Sequence, residues 1–288
     1  MDSPSYDHSL KQIQNFVAKN KSKLLSVLGG NTMGHVNSWA TENVLTKDTD
    51  YDTIAVAQGF RATADVDSPG DTQVFLLLTS MRLMMEAKRF IQDCGGYSLV
   101  SSDDTHGLTS HGYPANVIGL LGHAGQFIPI GVSIKQCEDE AAEAEGIRGM
   151  KAAFQSLLDF DWVPTEGMMD SCPALRNAFK SVFPDIKLAV CWFHCTQALH
   201  KNRAKFSDPE NYKKFCEEVR ALHILEDLDT FTMGLELLKK RWRTKEPRVV
   251  AWFFPNWGCP GRMEWFMGAT ACGMPVVNSS EEGFNNTM

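Results

Sequence analysis

The chain predicts an α/β fold, a mixed sheet flanked by helices, with a long, mostly helical segment before its end. Three observations carry this expectation. Two Val- and Ile-rich runs in YPANVIGLLGHAGQFIPIGVSIK flank His123-Ala124-Gly125-Gln126, a hairpin signal. Short apolar runs then alternate with helical stretches as far as about residue 206. From about 207 to 265 no strand pattern remains, and aromatic residues at helical spacing take over.

Taken in order, LKQIQNFVAKNKSKLLSVL places Leu10, Ile13, Phe16 and Val17 on one helical face, and Gly29-Gly30-Asn31 stops that helix. Asp65 to Asp71 (DVDSPGD) is a loop by its Pro, Gly and Asp content and marks a boundary. Residues 1–70 are therefore set apart as a less regular, partly helical region of unassigned role. QVFLLLTSMRLMMEAKRFI fits either a partly buried helix or a strand followed by a helix, and GGYSLVSSD is a strand ending at paired acids. After the hairpin, DEAAEAEGIRGMKAAFQSLLDF is a helix with Ile147, Met150, Phe154, Leu157 and Leu158 apolar. TEGMMD is a short strand ending at Asp170. PALRNAFKSVFPD is a helix with Pro173 in its first turn, stopped by Pro184. KLAVC is a further strand and WFHCTQALHKNRAKF the helix after it.

Composition narrows the function classes. No run approaches the roughly eighteen apolar residues of a membrane span. The N-terminus is polar, without the apolar core of a secretory signal. The 8 cysteines are scattered without paired spacing, as expected of reduced intracellular thiols rather than a disulfide framework. A net charge of −7 weighs against a dedicated nucleic-acid surface. The charge is uneven, however: acids crowd Glu138 to Glu145, while Lys239 to Lys245 is strongly basic. One such basic face can bind a polyanion, and a solvated helix surface explains the run equally well.

Two acids stand at predicted strand ends, Asp103 in SSDDTHG and Asp170, separated by 67 positions (170 − 103). Carboxylates brought to one sheet edge repel one another unless a cation lies between them. Oxygen donors suit Mg²⁺ or Mn²⁺. A two-metal site, with ions roughly 3.5–4 Å apart, activates a nucleophile on one side and stabilises the leaving oxygen on the other. Strand-end Asp residues also cap turns in many folds, so spacing alone leaves both explanations open.

The ordered series of motifs goes further. Asp103-Asp104-Thr105-His106-Gly107 is followed by a strand pair with Pro114 and Pro129, and then by the acidic run Glu138-Asp139-Glu140. Met169-Asp170-Ser171 precedes an Ala-containing helix ending in Phe183-Pro184. Cys191-Trp192-Phe193-His194 is a C-x-x-H after a strand, and Pro275 to Asn285 includes Glu282. In that order, over roughly residues 72–288, the chain resembles the Mutator-like element (MULE) transposase domain, a branch of the DDE transposases with a ribonuclease H-like fold. Val277 and Ser279 stand where the family signature has Thr and its second Asn.

The resemblance implies a catalytic domain over 71–288 with a helical insertion at about 207–273, C-terminally truncated relative to the family. It implies a catalytic and metal-binding triad of Asp103, Asp170 and Glu282, with Asp103 rather than Asp104 as the ligand. Two Mg²⁺ or Mn²⁺ ions are expected; zinc is not. The implied activity is metal-dependent hydrolysis and strand transfer of transposon ends in the nucleus. Double-stranded DNA is the implied partner, with self-association into a homo-oligomer and no membrane. The alternative is a domesticated, non-catalytic DNA-binding or transcription-regulating protein that keeps the fold.

Other candidates carry less. Cys191 and His194, with Cys195 and His200 near, make half of a zinc pattern without a second ligand pair, so the residues alone suggest a buried Cys and a hydrogen-bonded His; the resemblance implies a structural or substrate-positioning role for Cys191 and His194. His106 and His111 are loop histidines. Trp242, Trp252, Trp257 and Trp265 are expected to form the core of the helical segment, with base stacking as the functional alternative. Lys239, Lys240, Arg241 and Arg243 are the candidate phosphate contacts.

Overall fold

The computed structural model describes residues 33–57, 75–106, 113–271 and 273–275. Seven strands form one mixed sheet: β1 (Ala55–Val56), β2 (Phe75–Thr79), β3 (Leu99–Thr105), β4 (Ala115–Leu121), β5 (Phe127–Lys135), β6 (Glu166–Met169) and β7 (Lys187–Val190), in the order β1-β2-β5-β4-β3-β6-β7. β3, β4 and β5 are antiparallel neighbours, joined between β4 and β5 by the expected tight turn. Gly125 takes φ +73° in that turn, a conformation an L side chain resists. β6 runs parallel to β3, and β7 parallel to β6.

Helices α1 (Met33–Glu42), α2 (Met81–Asp93), α3 (Glu140–Leu158), α4 (Pro173–Val182) and α5 (Trp192–Lys201) connect or cover these strands. The ambiguous stretch after residue 72 resolves into strand and helix because Ser80 interrupts it: its hydroxyl caps α2 by accepting from the Leu83 N–H. Asp139 caps α3 in the same way, accepting from Ala142 N at 2.9 Å.

Strand alternation divides the core. Val100, Ile118 and Met169 pack on the face covered by α3 and α4, with Met150, Phe154, Trp162 and Phe179. Leu99, Val117 and Met168 pack on the opposite face with Cys191. Phe154 is fully buried, and truncation to Ala would cost about 3–5 kcal/mol.

The sheet extends upstream of the expected boundary. β1 pairs with β2 (Ala55↔Thr79), and Ala40 of α1 packs with Leu76 and Leu78. Residues 33–57 therefore share the sheet's core instead of forming a region apart. A strand of two residues is too short to leave a periodic signal in the sequence. The predicted helix near residues 10–28 and the boundary loop at 65–71 lie outside the described residues.

The late segment folds as α6 (Pro209–His223), α7 (Leu228–Trp242) and α8 (Pro247–Trp257). Phe215, Phe231, Trp242, Phe253, Trp257 and Trp265 share one core with Cys195 and Leu199 of α5. His223 stacks on Trp192 at 4.1 Å, and its Nδ1 lies 2.6 Å from the Trp265 carbonyl oxygen. Val190 N donates to Glu264 O at 2.8 Å. The helical segment is thus tied to β7 and to α5. Among the described residues no helix is long and apolar enough to cross a membrane.

Candidate functional site

The parallel register of β3 and β6 pairs Ser102 with Met169. The next residue in each case is an acid: Asp170 follows the last residue of β6, while β3, expected to end at its acids, runs on to Thr105 with Asp103 still paired to Val117 of β4, so the two acids come side by side where the β3–β6 pairing stops. Pleating then sorts the two adjacent acids of β3. Asp103 shares the parity of Leu99 and opposes Val117, on the face where α5 begins. Its Oδ1 lies 3.8 Å from His194 Nε2 in the first turn of α5. Asp104 shares the parity of Val100 and points to the α3 face, where its Oδ1 lies 2.8 Å from Lys135 Nζ. Lys135, fully buried at the end of β5, also pairs with Glu143 of α3.

Asp170 Oδ1 accepts the Cys172 N–H at 2.8 Å, forming the turn that leads into α4. Burial raises the Asp170 pKa, against the Cys172 N–H bond and the His194 charge, which lower it. Asp104 raises it further and Lys135 lowers it, so Asp170 senses both faces of the sheet. Burial lowers the His194 pKa, and the Asp170 carboxylate pulls it back up. His194 is therefore a mostly uncharged imidazole at neutral pH, able to accept or relay a proton beside two carboxylates.

Lys135 and Glu143 were not singled out from the sequence. The signal was available: Gly131, Ser133 and Lys135 alternate towards α3, so a charged residue occupies an inward position and needs a buried partner. Burial first, and the Asp104 charge after it, push the Glu143 carboxyl up to about 8 against the opposing pull of Lys135.

The remaining candidates separate. Glu282 and the adjacent Glu281, together with His111, lie outside the described residues. His106 sits exposed, with Nε2 3.1 Å from Glu138 Oε1. Cys191 and Cys195 point into different apolar clusters, and burial raises the Cys195 thiol well above its usual range. Cys191 N donates to Met169 O at 2.7 Å, fastening the start of α5 to the end of β6 and so placing His194 beside Asp103. Among the described residues no group of three or more His, Cys, Asp or Glu is placed to hold a metal ion.

Trp242, Trp257 and Trp265 are buried in the helical core, which removes them as stacking platforms for bases; Trp252 is half-buried. The basic run is less uniform than its sequence. Lys239 Nζ lies over the Phe254 ring, 5.5 Å from its centroid, and Arg241 Nη1 lies 3.1 Å from Glu218 Oε1. Lys240 and Arg243 are exposed beside Met233 and Leu237.

No protein-family model matches the chain, and no curated protein matches it.

Proposed function

We propose that this chain is a DNA transposase catalytic domain of the Mutator-like type, with a ribonuclease H-like sheet, acting on transposon ends with a divalent cation. The observation that supports it most is the pair Asp103 and Asp170, side by side where the parallel pairing of β3 and β6 stops, with an imidazole facing the first. The strand order β5-β4-β3-β6-β7, antiparallel up to β3 and parallel beyond it, is compatible with that sheet.

The donor set fits the ion. Mg²⁺ typically takes one or two carboxylates and completes its shell with water and substrate phosphate. Asp103 and Asp170 would hold it, with Glu282 as the third ligand by resemblance. The ion would supply charge neutralisation and an activated oxygen nucleophile. His194, uncharged at neutral pH, would orient or deprotonate a water or a DNA 3′-hydroxyl arriving over Asp103. Asp104, held by Lys135, would take no part in ligation. Lys240 and Arg243 would meet phosphates.

Labelled duplex DNA incubated with the metal-free chain and then with Mn²⁺ tests this. Metal-dependent cleavage that Asp103→Asn and Asp170→Asn reduce by orders of magnitude, with a strand-joining product, is the expected result. Cleavage without joining would reduce the activity to a nuclease. DNA binding without cleavage would favour the non-catalytic alternative. Cleavage unaffected by Asp103→Asn would sink the site.

A further inference from the structure

On the β7 side of the acid edge stands a cation that the site described above does not use. Arg176 lies in the first turn of α4, which begins just past Asp170, and helical side chains lean toward the helix N-terminus. Its Nη2 lies 3.4 Å from Glu264 Oε1. Glu264 is placed by its own backbone: its carbonyl oxygen accepts the Val190 N–H at 2.8 Å on the outer edge of β7, the last strand of the sheet. Val190 is paired with Met169, the residue before Asp170. The Glu264 backbone is therefore level with the end of β6 and two strand spacings from it, about 10 Å.

The pair is poorly made. Glu264 Oε1 also accepts the Gly261 N–H at 3.1 Å, while Glu264 Oε2 and Arg176 Nη1 have no hydrogen-bond partner among the described residues. A guanidinium suits an oxyanion that takes two parallel N–H donors at about 2.7–2.9 Å, and here one contact is made, and a long one. Both side chains are 24% exposed, so water weakens their attraction. The loop after α8 nevertheless holds the arginine in place. Gly261 takes φ +84°, and a Cβ there would stand 3.2 Å from Arg176 Nε.

We infer that Arg176 is a phosphate contact for DNA flanking the acid edge, and that Glu264 is the internal anion that occupies it until DNA arrives. The inference rests on the transposase reading above and deepens it by naming where the substrate backbone is held beside the cut. One strand of a duplex advances about 3.4 Å per phosphate, so DNA lying over Asp103 and Asp170 and running toward β7 brings a phosphate over this pair about three nucleotides on. That phosphate offers oxygens to both arms of the guanidinium fork, where Glu264 offers one. The exchange therefore satisfies the donor that Glu264 leaves idle.

Binding of labelled duplex DNA to the full chain, measured by fluorescence anisotropy without divalent metal over a series of salt concentrations, tests this. Arg176→Gln should weaken binding and lower the log–log salt slope by about 0.9, one phosphate contact. Glu264→Gln, which keeps an acceptor for Gly261, should tighten binding about twofold to fivefold, the equilibrium effect of freeing a part-exposed ion pair. The double variant separates release of Arg176 from simple loss of a negative charge: with Arg176→Gln present, Glu264→Gln should give no gain. A gain that persists there, an unchanged slope in Arg176→Gln, or binding not tightened by Glu264→Gln overturns the inference and leaves the transposase reading intact. If Arg176→Gln does not fold, Arg176→Lys decides in its place. It keeps the charge without the fork, so the slope should hold while Kd weakens about fivefold, one hydrogen bond's worth; a wild-type Kd overturns the inference. No DNA binding by the wild type sinks that reading and the inference together.

Discussion

Replacing each of the adjacent acids by Asn should separate stability from chemistry. Asp104→Asn removes a carboxylate oxygen 2.8 Å from a fully buried ammonium. A hydrogen bond to a charged group contributes about 1.5–3 kcal/mol, and removing one partner of a buried ion pair costs about 3–5 kcal/mol. Two features pull the cost towards the lower figures. Asn keeps one oxygen acceptor, and Glu143, relieved of the Asp104 charge that raises its pKa, ionises more readily and keeps Lys135 paired. The expected loss is therefore about 1–3 kcal/mol. Asp103→Asn should cost little or even stabilise the metal-free protein, because it removes a charge beside Asp170 without leaving a buried cation alone. Urea unfolding of metal-free protein at pH 7 reads both through the midpoint at constant slope. DNA cleavage should show the reverse ranking, lost in Asp103→Asn and largely kept in folded Asp104→Asn. If Asp103→Asn proves more destabilising than Asp104→Asn, or Asp104→Asn abolishes cleavage while folded, the assignment of the two acids to opposite faces is wrong.

Glu143 should give metal-free stability a pH dependence. Its carboxyl is raised to about 8 in the fold from an ordinary value near 4.5, so the native state holds the extra proton between those values. That contribution is present below about pH 4.5 and is lost as pH rises towards 8, with a slope of at most about 1.4 kcal/mol per pH unit for one proton. Glu143→Gln, which mimics the protonated acid, should flatten the profile of urea midpoints between pH 5 and 8; an unchanged profile would assign the slope to other groups. On the basic run, Lys240→Gln with Arg243→Gln should lower the log–log salt dependence of DNA binding by up to about 1.8, at about 0.9 per phosphate contact. Adding Lys239→Gln and Arg241→Gln should change it little further, since those two already engage Phe254 and Glu218; a large extra drop would show that all four reach the backbone.

How far the sequence could be read follows from which signals are local. The hairpin, α3 and the β6–α4–β7 unit announce themselves through periodicity and punctuation, because each buries a face that its own residues define. The edge strand β1 does not. Its two residues are held by pairing with β2 and by Ala40, partners that no window of sequence contains. The site divides along the same line. That Asp103 and Asp170 could come to one end of the sheet was legible once both runs were taken as strands; that β3 runs past its acids to Thr105, leaving the β3–β6 pairing to set the two side by side, was not. That Asp104 is spoken for was not, since it requires knowing that β5 lies two strands from β3 and that α3 crosses above their ends. The charged pattern nonetheless held a clue: Lys135 breaks an otherwise small or apolar inward row, and Glu143 falls on the same side of α3 as buried Ile147 and Met150. Buried opposite charges on elements adjacent in the chain are cheapest when they meet each other, and here they meet around the second acid of SSDDTHG. The doubled Asp is then two residues with two tasks, one holding the strand end in place and the other turned to the open edge beside Asp170.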